Sequence, residues 1–136
     1  MAEIVRISEG TALGLHAMIV AARGGGAVTA RSVALEVQGS EAHIAKVLRK
    51  LVRSGFLTSK RGPSGGYELA REAESTTLLE VYEALEGPLR ADGCVFDRLR
   101  CTAPCILGTM VLTMRDTARR ELSRMTLAAA AGSRRI

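Results

Sequence analysis

The chain has no tryptophan, and two Tyr and two Phe are its only aromatic residues. Any core must therefore be aliphatic, as helix-rich chains often are. No stretch is long and apolar enough to span a bilayer: the most apolar early run, residues 11–22, is too short and contains His16. The start M-A-E-I-V-R lacks a basic segment followed by an apolar one, so no export signal is read and a cytoplasmic location, without a membrane partner, is expected. The cysteines number three, an odd count, which speaks against a disulfide framework. There is no phosphate loop, dinucleotide fingerprint, H-E-x-x-H or nucleophile elbow. No catalytic residue is assigned, and an enzyme is not expected.

What is present points elsewhere. A hydrophobic fraction of 47% supports a core, and 136 residues suffice for one domain with an extension. The net charge is +5, unevenly spread. Residues 40–61 hold six basic residues against one acidic, Glu41, whereas residues 71–116 are net acidic. A basic patch beside an acidic remainder suits a phosphate-binding surface.

The patch coincides with a pattern of local structure. From Thr29 the chain reads as two short amphipathic helices around a Gly39-Ser40 turn, with Thr29 and Ser40 as N-caps. In the first, Val33, Ala34 and Val37 share a face. In the second, Ile44, Val47, Leu48 and Leu51 form an i, i+3, i+4, i+7 stripe opposite Ala45, Lys46, Arg49, Lys50 and Arg53. Gly55 ends it. Residues 56–60 and 67–70 then read as strands around the turn R-G-P-S-G-G. Helix, turn, helix, hairpin is the outline of a winged helix-turn-helix, whose second helix enters the major groove of DNA while the wing reaches the backbone or minor groove. The residues expected at an operator are Thr29, Ser40, Glu41, His43, Lys46, Arg49, Lys50, Lys60, Arg61 and Gly62. The expected fold is mostly α with a small β-wing.

Around this stretch, Ser8 caps an expected helix reaching Ala22, and Thr77-x-x-Glu80 is a capping box opening a short helix stopped by Gly87-Pro88. Residues 89–103 read as a loop. From Pro104 an apolar pattern through Leu107, Val111, Met114, Ala118, Leu122, Met125 and Ala129 predicts one helix over 104–131, about 40 Å long at about 1.5 Å per residue. That is too long for a winged domain of residues 1–88 to cover, so the seam is expected to join two copies of the chain. A homodimer would present paired reading helices to a two-fold double-stranded DNA operator.

Cys94, Cys101 and Cys105 fall within C-V-F-D-R-L-R-C-T-A-P-C. Three thiols in one loop at the start of a helix suit ligation of an iron–sulfur cluster. A thiol switch needs only two of them, a vestigial site none, and zinc would want a fourth Cys or His. A cluster-carrying module that docks on protein is a further alternative, against which the basic face argues.

The frame I-A-K-V-L-R-K-L-V-R-S-G-F-L, the wing R-G-P-S-G-G-Y-E-L-A and the later L-L-E-V-Y-E-A-L-E-G-P resemble the Rrf family of bacterial winged helix-turn-helix regulators, with its IscR-like and NsrR-like sensors. The resemblance implies a transcriptional regulator, expected to be a repressor. It would sense redox state, nitric oxide or iron–sulfur status through a 2Fe-2S or 4Fe-4S cluster held by Cys94, Cys101 and Cys105. It also implies a ligand from the partner subunit at His16. Some members add a carboxylate four residues earlier, where this chain has Ala12. Two further departures are the short gap between Cys101 and Cys105, and Ala45 at the position where IscR-like members carry a Glu that discriminates between sites.

Overall fold

The structure, a computed structural model, describes residues 5–24, 26–90 and 105–133. Extended backbone ends at Ser8, whose hydroxyl accepts from the Thr11 amide and opens α1, Glu9–Ala22. Ala17, Met18 and Ile19 of this helix are buried. It is the hub of the fold, packing against four of the other helices and against the second wing strand.

Thr29 opens α2, Ala30–Val37, by a reciprocal box in which its hydroxyl takes the Ser32 amide and Ser32 Oγ takes the Thr29 amide. The break that follows differs from expectation. Gln38, at φ 54°, is the left-handed residue, not Gly39. Gly39 serves by its size: a Cβ there would lie 3.2–3.4 Å from Val37, Ile44 and Leu13 side chains. A side chain there would require these neighbours to give way by a few tenths of an ångström as the turn tucks between α1 and the next helix.

Ser40 caps α3, Glu41–Arg53, by accepting from the His43 amide. Its stripe of Ile44, Val47, Leu48 and Leu51 is buried as the spacing predicts. Gly55, at φ 80°, turns the chain into β1, Leu57–Lys60, which pairs antiparallel with β2, Gly66–Leu69. Leu57 faces Leu69 and Lys60 faces Gly66. Val28 bridges Tyr67 through N–H···O bonds of 2.9 and 2.7 Å, tying the hairpin to the start of α2. Arg71 stacks 4.2 Å from the Phe56 ring centroid and donates to the Gly55 carbonyl, fixing the hairpin's exit. The capping box Thr77–Glu80 forms and opens α4, Leu78–Glu86. The mostly helical fold with a small β-wing is the one expected.

The long final helix is not continuous. It divides into α5, Ile106–Arg124, and α6, Leu127–Gly132. At Met125 the backbone is extended, and Thr126 caps α6 by accepting from the Ala129 amide. The reason is tertiary. The Met125 carbonyl accepts from the Leu78 amide at 2.9 Å, while the Leu127 and Ala128 amides donate to the carbonyls of Thr76 and Ala73 at 2.8 and 3.0 Å. The connector before α4 captures the chain there, and Leu127 and Ala130 enter the winged core. Residues 1–88 therefore do not complete that core by themselves. The predicted seam divides too: Val111 is buried, while Ile106, Leu107, Met110 and Met114 are exposed along a neighbouring face. Pro104, expected in the first turn, lies outside the described residues.

Candidate nucleic-acid interface

Burial of the α3 stripe forces its other side outward. Ala42, Lys46, Arg49 and Arg53 recur at steps of three and four on that exposed side, with half-buried Ala45 among them. No hydrogen bond or ion pair engages the side chains of Lys46, Arg49 or Arg53 among the described residues. Arg53, whose charge was visible in the pattern, belongs with the expected DNA-facing set by its i, i+4 step from Arg49. Between α3 and the hairpin, Arg49, Val52, Arg53, Ser59 and Tyr67 line a cleft of about 340 Å³. Ser59 and Tyr67 were not foreseen, because the strand register that pairs them is a tertiary fact.

The hairpin tip is exposed from Arg61 to Ser64. Arg61 has no side-chain partner among the described residues, whereas Lys60 pairs with Glu68 at 2.9 Å. The tip needs its glycines. A Cβ on Gly65 would sit 2.5 Å from the Lys60 carbonyl, and Gly66 holds φ at 146° with the Val28 carbonyl beneath it. Gly62, at φ 105°, is exposed and open.

The remaining expected DNA residues are placed less uniformly. Thr29 and Ser40 are exposed caps whose hydroxyls are already committed to their helices. Glu41 is exposed in the first turn of α3. His43 is half-buried on the flank toward α1, its Nδ1 3.9 Å from Glu9. Lys50 lies on the same flank and donates from Nζ to the Leu85 carbonyl at 2.6 Å.

That flank meets a polar junction that had no local signature in the sequence. The Glu86 carboxylate, at the end of α4, accepts from the Ser8 amide at 3.2 Å, the Ser8 hydroxyl at 2.8 Å and the Thr11 hydroxyl. Arg6 pairs with it at 3.3 Å. The Thr11 bond foremost, then those from Ser8, hold the Glu86 carboxyl below its ordinary value, against burial pushing the other way.

Of the expected metal ligands, Cys94 and Cys101 lie outside the described residues. Cys105 is half-buried at the N-cap of α5, and its carbonyl receives the Thr109 amide and hydroxyl at 2.9 and 3.1 Å. His16 lies 2.7 Å from the Ala12 carbonyl through Nδ1. A carbonyl only accepts, so Nδ1 is the donor, and in the neutral ring that leaves Nε2 as the nitrogen with a lone pair. His16 lines a groove of about 340 Å³ between α1 and α2, shared with Glu9, Leu13, Arg23 and Glu36. Among the described residues no three His, Cys, Asp or Glu side chains converge as a metal site. Nor is any described helix long and apolar enough to cross a membrane.

Comparison with known proteins agrees with this geometry. The chain is 39% identical over 83 residues to the HTH-type transcriptional regulator BadM of Rhodopseudomonas palustris, a span of 60% of this chain and 53% of that protein. It thus covers about half the length of that relative. The solved structure of CymR, the global cysteine regulator of B. subtilis, superposes with a TM-score of 0.80 at 28% identity, covering 93% of this chain and 96% of that one. IscR of T. potens superposes at 0.73 with 26% identity, covering 92% and 85%. A family profile described as an iron-dependent transcriptional regulator, Rrf2, matches residues 7–132. The protein belongs to the Rrf2 family of transcriptional regulators.

Proposed function

We propose that this regulator is a homodimeric repressor that reads a two-fold DNA operator with α3 and the wing, under the control of its cysteines. The observation that carries the DNA reading is the outward face of α3: Lys46, Arg49 and Arg53, uncommitted among the described residues, stand over a cleft shared with the hairpin. Basic side chains so placed reach phosphates and base edges, and Arg61 at the tip extends the contact toward the minor groove. Ala42 and Ala45 leave room for close approach to the groove floor. Thr29, Ser40, Glu41, His43, Lys60 and Gly62 border this surface. The exposed apolar run Ile106, Leu107, Met110 and Met114 supports dimerisation through α5.

For the signal, Cys94, Cys101 and Cys105 would hold an iron–sulfur cluster, with His16 of a partner subunit as the remaining ligand. Two observations support that role: the Nδ1 of His16 is engaged by the Ala12 carbonyl, which in the neutral ring leaves Nε2 for a metal, and Cys105 begins a helix whose amide end favours anionic sulfur. Such a cluster supplies redox-sensitive iron when bound. The protein's own part is to keep Nδ1 of His16 protonated on Ala12 and to hold Cys105 at the N-terminus of α5.

A thiol switch without metal is the second reading, favoured by the short Cys101–Cys105 spacing. Anaerobic purification with an absorbance spectrum and iron and sulfide analysis separates the two. A coloured protein containing both elements supports the cluster; a colourless, iron-free protein after reconstitution eliminates it.

A further inference from the structure

Lys50 sits on a DNA-reading helix in a basic run, yet its ammonium is directed elsewhere. Its Nζ donates at 2.6 Å to the carbonyl of Leu85, in the last turn of α4. The last four carbonyls of a helix lack intrahelical partners, and a cation there also meets the negative end of the helix dipole. Leu85 is itself buried in the core shared by α1, α3 and α4. The bond, made by an exposed lysine to a carbonyl of a buried residue, therefore joins α3 to the end of α4.

The same stretch is gripped from its other side. Arg119, on α5, donates from Nη2 to the Leu89 carbonyl at 2.9 Å and pairs with Glu83 at 3.1 Å. Glu83 in turn accepts the Leu89 amide at 3.1 Å. One cation from α3 and one from α5 thus clamp residues 83–89 between them. In the chain, this stretch runs from α4 toward Cys94 and Cys101.

We infer that Lys50 and Arg119 are positioning residues that seat the reading helix on the end of α4, and that neither touches DNA. The inference rests on α3 being the helix that reads DNA. Its seat fixes the distance and tilt at which Lys46, Arg49 and Arg53 meet the groove, so loosening the clamp weakens every operator contact at once. Because the clamp neutralises no phosphate, its loss releases no fewer counterions on binding.

The test is operator affinity against salt for the intact protein and its variants, with far-UV circular dichroism to verify folding. Lys50→Met keeps the aliphatic stem and removes the donor. Its affinity should fall about five- to twenty-fold with an unchanged slope of log K against log salt, and Lys50→Arg should recover most of the loss. Arg119→Met should act likewise, and the double variant should lose less than the product of the two singles, since both work through one turn. A slope reduced by about 0.9 in Lys50→Met marks a phosphate contact and overturns the proposal. Wild-type affinity in Lys50→Met overturns it as well. Should Lys50→Met fail to fold, Arg119→Met decides alone, and unchanged affinity there refutes the clamp. A wild-type protein that binds no DNA fragment refutes the proposed function itself, and this inference with it.

Discussion

Leu127 is the residue on which the final turn of the fold can be weighed. It lies after the break at Met125, and its side chain is 0% exposed within the core that α1, α3 and α4 build. Leu127→Ala removes three carbons from that core. At about 0.8 kcal/mol per buried methylene the lost transfer energy is roughly 2.4 kcal/mol. A residual void of roughly 50 Å³, at about 24 cal/mol per Å³, adds about 1 kcal/mol. The expected cost is therefore about 3.5 kcal/mol, a large part of the ordinary net stability of a domain. Urea unfolding followed by helical circular dichroism should show the midpoint falling with the slope unchanged. Leu35→Ala is the control: Leu35 is 74% exposed on α2, and its loss should stay within about 0.5 kcal/mol. If Leu127→Ala costs less than about 1 kcal/mol, α6 is not part of the winged core and the account of the broken helix is wrong.

Other perturbations have equally definite outcomes. Arg61→Ala should weaken operator binding by about 1–3 kcal/mol and lower the salt slope by about 1, and an unaltered titration would remove the wing tip from the interface. Gly65→Ala forces a methyl to within 2.5 Å of the Lys60 carbonyl, so operator affinity should fall while the helical melting of α1 and α3 is retained. Glu86→Gln tests the junction between α1 and α4. A carboxyl held below its unfolded value stabilises the fold at pH above that value, and the benefit is lost as pH falls through the folded one. Near neutral pH the variant should be less stable by about 1.5–3 kcal/mol, with the gap narrowing in urea titrations carried toward acid; a gap constant with pH would contradict this. His16→Ala should shift the absorbance of a cluster-loaded protein and shorten the cluster's lifetime with the dimer intact, whereas an identical spectrum and lifetime would exclude His16 as a ligand.

The parts legible in the sequence were those whose cause is local. Caps at Ser8, Thr29, Ser40 and Thr77 act within three residues of themselves, and all four open helices where expected. The stripe of α3 is a matter of period, and it is buried as read. Misreadings arose where the deciding partner lies far along the chain. Periodicity alone favoured a continuous helix over 104–131, but amides after Met125 are claimed by carbonyls at 73 and 76, and no helical pattern encodes that. Lys50 shares the charge and spacing of its neighbours, and only the position of Leu85 separates it from Lys46 and Arg49. Glu86 carries no local signal of its role, because the hydroxyls that hold it, on Ser8 and Thr11, lie more than seventy positions earlier.

The central claim is that the outward face of α3 and the wing tip together bind duplex DNA. The most direct measurement selects duplexes from a random library with the intact protein, then titrates the winner against salt for the wild type and for the paired exchange Arg49→Ala with Arg61→Ala. The account predicts a two-fold-related consensus, a steep fall of log K with log salt, and a slope shallower by about two in the paired variant. Selection without a consensus, or a slope that the paired exchange leaves untouched, would contradict it.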